Sequence, residues 1–345
     1  MRALFLKQAG DPPVLEVRDV PTPKPAPHQA LVRVTVCGFC HHDRSVMAGV
    51  LQRGVAPGVV LGHEISGVVE KTGSEVTSLN PGDHVASILT EACGHCDRCN
   101  SGREHRCRIG QGIGHGRDGG FAEFTVLSEH SLVRLPDGLE PASSSLLACP
   151  IGVAIQAVQV TARVKPGETV VVTGAGGGLG SHAIQAAAAL EAHVIAVSSS
   201  PDKETALLEL GASEVLVKGE LDFAELVMAL TGDNGADVVI DTVGSALYPS
   251  TLRSLAQYGR LVLLGEIVGE NINLNPADVI FRDATILGTS GVSRTIVEQA
   301  ASMVLNRKIY PVVNVELPLE RAEEAYRLIT ERKPTGRIVL LPNGR

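Results

Sequence analysis

The chain has 345 residues, of which 44% are hydrophobic and 3% aromatic, with 37 glycines, no tryptophan and a formal net charge of −8 at pH 7. This length predicts about two domains with a large core, and the acidic balance disfavours nucleic-acid binding because phosphate contacts need a basic surface. No apolar run reaches the ~18–20 residues of a membrane span, and Lys7 interrupts any signal-peptide-like start. We therefore expect a cytoplasmic α/β enzyme with no nucleic-acid or membrane partner.

The first 150 residues carry mainly strand signals. Turn-forming Pro and Gly separate them, as in Pro57-Gly58 and Asn80-Pro81-Gly82-Asp83. The short apolar or alternating runs lie at 30–36, 64–70, 84–88 and 121–126. This spacing favours a small barrel-like or sandwich domain.

Strand and helix signals alternate after residue 150. Strands are predicted at 169–173, 193–197, 214–217, 237–240 and 260–264. Helices are predicted at 151–164, 181–190, 223–230 and 248–257, with another ending near 210–211. Such alternation predicts a parallel, doubly wound sheet. Helical patterns at 295–306 and 319–330 and a strand at 337–341 end the chain, and we expect this tail to return to the first domain.

The densest group of cysteines lies at 93–107, in the run C-G-H-C-D-R-C-N-S-G-R-E-H-R-C. It contains Cys93, Cys96, Cys99 and Cys107, and four thiolates suit tetrahedral zinc and can close its coordination shell. Two disulfides are the alternative, but that pattern belongs to short secreted chains. A zinc-ribbon nucleic-acid module fits poorly with the acidic charge. We therefore predict a structural zinc site that holds a loop in place.

A glycine-rich turn joins the predicted strand 169–173 to the helix that follows it. Glycines let the backbone approach a pyrophosphate closely, and the N-terminus of the following helix offers free N–H groups to that anion. Glycines at any turn can produce such a string, but the strand before it, the helix after it and the next strand favour dinucleotide binding. The predicted loop comprises Gly174, Ala175, Gly176, Gly177, Gly178, Leu179 and Gly180.

The residues after the second strand of this region bear on the choice of cofactor. An acidic residue there would bind the ribose 2′-hydroxyl of NAD, whereas this chain has Ser198 and Ser199, followed by Lys203. A carboxylate would repel a 2′-phosphate, while hydroxyl groups and a nearby lysine could accept one. The sequence therefore favours NADP(H) over NAD(H), with the alternative that Asp202 turns in to bind NAD.

Three further motifs complete a pattern, namely C-G-F-C-H-H-D at 37–43, G-H-E-I-S-G at 62–67 and A-C-P at 148–150. Together with the cysteine group and the glycine loop, they resemble the zinc-dependent medium-chain dehydrogenase/reductases of the alcohol dehydrogenase superfamily over the full length. The resemblance implies a GroES-like catalytic domain at 1–151 with a zinc lobe at 93–107, a Rossmann dinucleotide-binding domain at 152–290, and a return to the catalytic domain at 291–345.

The family pattern implies a second, catalytic zinc, and so two zinc ions per subunit. Its ligands would be Cys40, His63 and Cys149, with an open position for water or substrate; for His63 the alternative is a satisfied buried imidazole. Glu64 and Asp43 match the carboxylates that orient such ligands, and Glu64 could also serve as a transient ligand. Ordinary surface or helix-capping roles are the alternative for both carboxylates.

The implied reaction is hydride transfer between a zinc-bound alcohol or carbonyl substrate and the nicotinamide. Two positions depart from the family pattern, because His42 replaces the usual Ser or Thr proton relay and Val153 replaces a common threonine. An imidazole titrates near neutrality, so His42 could relay the proton itself. Cys37, three residues before the first ligand, is interpreted as structural.

The same resemblance implies further cofactor contacts. His41 matches a position that reaches the pyrophosphate, and Arg337 resembles a second such contact, with a solvated arginine at a strand start as the alternative. Residues at the carboxyl ends of two later strands of the nucleotide domain would let the nicotinamide approach. These residues are Thr242, Val243, Leu264 and Gly265.

The leading functional hypothesis is a zinc-dependent, NAD(P)-linked alcohol dehydrogenase or carbonyl reductase acting on a small alcohol, aldehyde or ketone. The alternative is an NADPH-dependent enoyl reductase, because V-I-D-T-V-G, S-L-A-Q-Y-G-R-L-V-L-L-G and F-R-D-A-T-I-L-G resemble acryloyl-CoA reductase-like members. A non-catalytic protein that only senses nucleotide is a third hypothesis, which the intact ligand set disfavours.

Two expectations rest on resemblance alone. The apolar run 284–287 resembles the strand that joins subunits in the family, which predicts a homodimer or homotetramer, with an interior strand as the alternative. Ile88, Leu89 and Ile113 are expected at the substrate pocket.

Overall fold

The computed structural model describes residues 1–217, 222–266 and 269–344. The chain divides into two compact units. The first comprises Met1–Gly152, Gly291–Arg307 and Val313–Arg345, and the second comprises Val153–Ser290 and Lys308–Val312. The short segment Lys308–Val312 groups with the second unit, a detail that the strand and helix patterns did not indicate.

Strands and helices are numbered in chain order. The strands are β1 (Arg2–Gln8), β2 (Val14–Asp19), β3 (Gln29–Phe39), β4 (Glu64–Thr72), β5 (His84–Ser87), β6 (Thr90–Glu91), β7 (Gln111–Gly112), β8 (Phe124–Ser128), β9 (Leu132–Arg134), β10 (Thr169–Thr173), β11 (His193–Ser198), β12 (Glu214–Val217), β13 (Ala236–Asp241), β14 (Leu255–Leu263), β15 (Thr285–Gly288), β16 (Val313–Pro318) and β17 (Arg337–Leu341). The helices are α1 (His41–Met47), α2 (Asp97–Asn100), α3 (Pro141–Ser145), α4 (Val153–Ile155), α5 (Gly178–Ala188), α6 (Glu204–Glu209), α7 (Phe223–Leu230), α8 (Tyr248–Arg253), α9 (Pro276–Ile280), α10 (Arg294–Leu305) and α11 (Ala322–Thr330).

The first unit is built on a sheet whose described strands run in the order β16-β17-β3-β4-β5-β9, with β8 also pairing with β3. β3 lies at its centre because its alternate side chains Ala30, Val32 and Val34 are fully buried in the core. Antiparallel pairing of β3 with β4 sets Gly38 opposite Glu64. A Cβ atom at position 38 would lie 1.9 Å from Glu64 Oε2, so only glycine fits there.

The second unit is a parallel sheet whose described strands run in the order β12-β11-β10-β13-β14-β15. Its central strands are apolar runs with Val171, Val239 and Leu261 fully buried, as expected for strands covered on both faces. Strand order reverses between β10 and β13, which makes this the switch point of a doubly wound sheet. The predicted α/β fold class is confirmed.

Two predicted elements have different ends in the structure. The strand at 121–126 begins later, as β8, because Phe121 is a core residue stacked on Phe39 at 5.6 Å between ring centroids. The helix at 248–257 ends at Arg253, because Leu255 is buried and pairs with Ala236 in the sheet. At both positions the apolar residues fit a helical and a strand pattern, and contacts with distant residues decide which element forms.

The predicted helix 151–164 forms, but with wide π-helical turns at Leu147–Gly152 and Gln156–Thr161 around α4. Cys149 interrupts the first of these turns with extended backbone angles, φ −123° and ψ 125°. The kink displaces this side chain from a regular helical position. None of the described helices is long and apolar enough to span a bilayer.

Candidate active site

Four metal-binding side chains from distant parts of the first unit meet in one place, which we call the buried cluster. One ligand atom of each lies within 4.8 Å of those of the others, and the four residues are Cys40, His63, Glu64 and Cys149. Local structure explains the convergence: Cys40 caps α1 directly after β3, Glu64 opens the neighbouring strand β4, and Cys149 lies at the kink in the π-helical turn.

The carboxylate of the buried cluster is paired with an arginine. Glu64 is 0% exposed, and its Oε1 lies 2.9 Å from Nη2 of Arg337, itself only 4% exposed. The same Arg337 Nη2 donates a hydrogen bond to Cys149 Sγ at 3.6 Å. Burial raises the pKa of Glu64 to about 8, although the Arg337 charge opposes the shift. The alternatives of a solvated arginine and a surface glutamate are therefore wrong.

Asp43 orients two members of the buried cluster. It is fully buried, its Oδ2 accepts a hydrogen bond from the Cys40 amide at 2.9 Å, and its Oδ1 lies 3.4 Å from His63 Nδ1. Asp43 therefore caps α1, as the alternative interpretation supposed, and its carboxylate also lies against the histidine ring. The opposite nitrogen, His63 Nε2, lies 3.9 Å from Glu64 Oε1, on the side of the other donors.

The chemistry of the buried cluster suits zinc. Two sulfurs and an imidazole are the donors that zinc prefers, and a carboxylate on an imidazole nitrogen is the usual support for a metal-bound histidine. A hydrogen bond from Cys149 lowers the pKa of Cys40 well below its usual range, with burial opposing. The thiolate form of cysteine is the one that binds metal. These residues fit a zinc ion.

Three histidines adjoin in this region. The His42 ring meets the His63 ring edge-on at 5.1 Å between centroids and lies 5.0 Å from the His115 ring. His115 Nε2 lies 3.0 Å from the Arg53 carbonyl oxygen, so this nitrogen carries the proton and donates. Burial, then the charge of His63, lower the pKa of His42. Sequence reasoning missed His115, because its G-H-G context matches no recognised motif.

The four cysteines of 93–107, which we call the lobe cluster, also converge. All seven cysteines of the chain lie in the described ranges and are free thiols, so the disulfide alternative is wrong for this structure. Cys96 Sγ lies 3.5 Å from Cys99 Sγ and 4.0 Å from Cys107 Sγ, and Cys93 Sγ lies 4.0 Å from Cys99 Sγ. Tetrahedral zinc with bonds of about 2.3 Å places sulfurs about 3.8 Å apart. The lobe cluster therefore fits zinc as well.

The glycine loop has the geometry of a phosphate-binding turn. Gly174 takes φ +59° directly after β10, and α5 begins at Gly178 with Gly177 as its N-cap. A Cβ atom at Gly180 would lie 2.4 Å from the Gly174 carbonyl oxygen, so helix and turn are in contact. The free N–H groups of the first turn of α5 are available to an anion. Ala175 and Leu179 lie in this same turn and first helical turn.

The residues predicted to select the cofactor follow β11. Ser198 is buried, where its hydroxyl accepts a hydrogen bond from the Ser200 amide and lies 3.1 Å from the Ser200 carbonyl oxygen. Ser199 and Asp202 are exposed. The buried Lys203 side chain runs over the glycine loop, with its Cδ 2.6 Å from a Cβ built on Gly176. A positive charge therefore adjoins the loop itself.

Other predicted site residues fall into two groups. Thr242, Val243, Leu264 and Gly265 follow the carboxyl ends of β13 and β14, at the cofactor-binding edge of a parallel sheet. His41 opens α1, and burial lowers its pKa to about 4. Of the residues expected at the substrate pocket, Ile88 and Ile113 are buried and Leu89 is half-buried.

Similarity to known proteins supports this interpretation. Residues 26–137 match the family described as alcohol dehydrogenase GroES-like domain, and residues 178–306 match the family described as zinc-binding dehydrogenase. The chain is 33% identical over 328 residues to an acryloyl-coenzyme A reductase of Sulfurisphaera tokodaii, covering 95% of this chain and 96% of that protein. It is 33% identical over 341 residues to an alcohol dehydrogenase of Geobacillus stearothermophilus, covering 99% of each. A crystal structure of an NAD-dependent alcohol dehydrogenase superposes with a TM-score of 0.91 at 35% identity, covering 99% of each chain.

The chain belongs to the zinc-binding alcohol dehydrogenase family, within the medium-chain dehydrogenase/reductases. The resemblance inferred from its motifs is confirmed. Membership makes the protein an oxidoreductase, while relatives with two different names, alcohol dehydrogenase and acryloyl-coenzyme A reductase, stand at nearly equal identity. The two names correspond to two different reactions of an oxidoreductase.

Proposed function

We propose that the protein is a zinc-dependent, NADP(H)-linked oxidoreductase that interconverts small alcohols with aldehydes or ketones by hydride transfer. The observation that carries this proposal is the buried cluster, where donor atoms of Cys40, His63, Glu64 and Cys149 lie within 4.8 Å of one another. A purely structural zinc site would not need sulfur, imidazole and carboxylate donors together beside a guanidinium group. Such a set can leave a coordination position for substrate.

Cys40, His63 and Cys149 would hold the zinc, with Glu64 as an alternate ligand. The ion would supply Lewis-acid polarisation of the substrate oxygen. Asp43 lies against His63 Nδ1 and would orient the ring, and Arg337 pairs with Glu64 beside the sulfur and imidazole donors. We assign the lobe cluster a second, structural zinc.

His42 is assigned the proton transfer that Ser or Thr performs elsewhere in the family. Its ring lies next to His63 on one side and His115 on the other, at about 5 Å between centroids in each case. The lowered pKa of His42 favours its neutral imidazole, which can accept a proton. His115, held by the Arg53 carbonyl, extends this row of rings by one member.

We assign the glycine loop, Ser198, Ser199 and Lys203 to NADP(H), with His41 and Arg337 as further contacts. The Lys203 stem against Gly176 brings an ammonium group to the loop, and Ser199 offers an exposed hydroxyl group directly after β11, where NAD-binding chains carry an acid. Ser198→Asp should lower the affinity for NADPH at least about tenfold and spare NADH. Unchanged discrimination between the two cofactors would refute the assignment of Ser198.

The decisive experiment combines metal analysis with an activity panel. Purified protein should contain two zinc ions per subunit and oxidise primary or secondary alcohols with production of reduced nicotinamide, measured by its absorbance. Removal of the zinc of the buried cluster should abolish this activity. At most one zinc per active subunit, confined to the lobe cluster, would overturn the proposal.

Reduction of an enoyl thioester is the second candidate. It is favoured by similarity to acryloyl-coenzyme A reductases of Sulfurisphaera tokodaii and Metallosphaera sedula, at 33% and 32% identity, and by the departures at His42 and Val153. Acryloyl-CoA and related thioesters belong in the same panel. NADPH oxidation with these thioesters that survives zinc removal, without alcohol oxidation, would favour this candidate over the first.

We further propose a homo-oligomer joined through β15. This strand is at the edge of the described sheet, so its outer N–H and C=O groups lack a strand partner there. The preceding Ile280 and Phe281 are 65% and 80% exposed. Light scattering should give a dimer or tetramer, and Phe281→Glu should shift it towards monomer. A monomeric wild type would refute this part of the proposal.

A further inference from the structure

Asp241 is a carboxylate buried at the carboxyl end of β13. It is fully buried, and burial raises its pKa, with hydrogen bonds from Gly244, Thr173 and Val243 opposing the shift. A buried carboxylate is costly unless its oxygens are hydrogen-bonded. The groups that donate hydrogen bonds to Asp241 therefore show which parts of the chain this carboxylate joins.

One oxygen of Asp241 accepts three hydrogen bonds. Its Oδ1 accepts from the Thr173 hydroxyl at 2.7 Å, from the Val243 amide at 2.9 Å and from the Gly244 amide at 3.0 Å. Thr173 is the last residue of β10, while Val243 and Gly244 form the turn that follows β13. A single atom thus fixes the turn to the end of the neighbouring strand.

The backbone extends the same network to a third strand. The Asp241 carbonyl oxygen accepts hydrogen bonds from the Leu264 and Gly265 amides, at 2.9 and 3.2 Å, directly after β14. Thr242 donates its hydroxyl to the Thr173 carbonyl at 2.8 Å and its amide to the Thr173 hydroxyl at 3.1 Å. The ends of β10, β13 and β14 are therefore joined through one network of buried polar groups.

The loops held by this network are packed at backbone contact. A Cβ atom at Gly265 would lie 2.2 Å from the Thr242 carbonyl oxygen, and one at Gly174 would lie 2.4 Å from the Thr242 hydroxyl. The strand order reverses between β10 and β13, and a dinucleotide crosses the sheet edge at such a point. A small displacement of these loops would change the surface that contacts the cofactor.

We propose that Asp241 and Thr173 are positioning residues for the nicotinamide half of the cofactor. They would act by holding the turns at Thr242 and Gly265 at a fixed spacing, without touching the cofactor. The adenosine half would lie on the side of β11, where the network does not reach. This inference rests on the proposed nucleotide binding of the second unit.

The test is cofactor affinity rather than turnover. Thr173→Val removes the hydroxyl that joins the two strand ends while keeping the shape of the side chain. Calorimetry should show a rise of about tenfold or more in the Kd of the reduced cofactor that the wild type prefers. The Kd of the matching adenosine fragment, 2′,5′-ADP or AMP, should change less than about twofold. Thr173→Ser should restore the Kd to within about twofold of the wild type.

Thr251→Val is the matched control, because Thr251 is equally buried in the same unit and donates to the Tyr248 carbonyl at 2.8 Å, within α8. It should lose stability without losing cofactor affinity. Asp241→Asn, whose amide oxygen is a weaker acceptor, should give the same selective rise, about threefold or more, and serves if Thr173→Val does not fold.

Two outcomes would overturn the inference. One is wild-type cofactor affinity in Thr173→Val and Asp241→Asn; the other is an equal loss of affinity for cofactor and adenosine fragment. In both cases tight binding by the wild type would leave the proposed function standing. Failure of the wild type to bind either NADPH or NADH would overturn the proposed function and this inference together.

Discussion

The lobe cluster and the buried cluster place similar donor atoms in opposite surroundings. The lobe cluster has four sulfurs, two of them from half-buried residues, and no carboxylate or guanidinium among its donors. The buried cluster mixes sulfur, imidazole and carboxylate, and Arg337 lies directly against it. Four like donors close a coordination shell, whereas three protein donors leave a position open. Under the zinc assignments proposed above, the number and the mixture of protein donors would therefore distinguish a stabilising site from a reactive one.

The largest difference should appear on removal of one sulfur from the buried cluster. Cys149→Ala should lower alcohol turnover by at least about 10³-fold, because Lewis-acid assistance is worth several kcal/mol, and should reduce the zinc content from two ions to one. Mass spectrometry and steady-state kinetics provide the readouts. Cys37→Ala, a buried cysteine outside both clusters, is the control and should keep both ions. Full activity in Cys149→Ala would show that the buried cluster is not the catalytic site.

The opposite pattern is expected in the lobe. Cys99→Ser should lose one zinc and lower the melting temperature by about 10 °C or more, because a closed thiolate site contributes its binding energy to folding. Molecules that remain folded should keep turnover within about threefold. Calorimetry alongside kinetics would check both effects. A variant of normal stability but without activity would show that the roles of the two clusters had been exchanged.

Arg337 has no counterpart in the lobe cluster. Its removal should show how much the pairing with Glu64 contributes to the stability of the protein. Arg337→Ala should lower the free energy of unfolding of the zinc-loaded protein by about 1–3 kcal/mol, because the buried Glu64 carboxyl group would lose its partner. Urea denaturation measures the loss. The double variant Glu64→Gln, Arg337→Met removes both charges and should recover most of it. Equal destabilisation in the single and double variants would contradict the pairing.

The smallest effect is expected from a residue that supports a metal ligand without binding the metal itself. Asp43→Asn should weaken zinc binding in the buried cluster by about 10- to 100-fold, measured by competition with a chelating dye. Asp97→Asn is the control in the lobe, where an exposed carboxylate pairs with Arg108. It should leave zinc affinity of the buried cluster unchanged. Equal responses of the two variants would show that Asp43 does not support the metal site.

Elements whose signals are local could be predicted from the sequence. β10, β12 and α7 form at the predicted residues because each is a short apolar run with clear turn residues on both sides. The lobe cluster could be predicted for the same reason, since four cysteines within 93–107 need no knowledge of distant contacts. The buried cluster could be named only through resemblance to a family, because its members come from three separate parts of the chain.

What could not be predicted depends on long-range partners. The pairing of Arg337 with Glu64 follows from the packing of β17 on β3 and of β3 on β4, which no periodicity reveals. His115 reaches His42 from a loop without a motif. The end of α8 was misplaced because Leu255 satisfies a helical pattern and a strand pattern equally, and only its pairing with Ala236 decides. Local sequence defined the elements, and tertiary contacts decided their ends.

The contact of Gly38 with Glu64 has a consequence for anyone who diversifies this enzyme. A methyl group at position 38 would occupy the space of the Glu64 carboxylate, at 1.9 Å from Oε2. Mutagenesis libraries that vary the loop around Cys40 should therefore hold this position constant, because a side chain there would displace the Glu64 carboxylate from its pairing with Arg337. Leu89, which we expect at the substrate pocket, is only half-buried and should tolerate more variation.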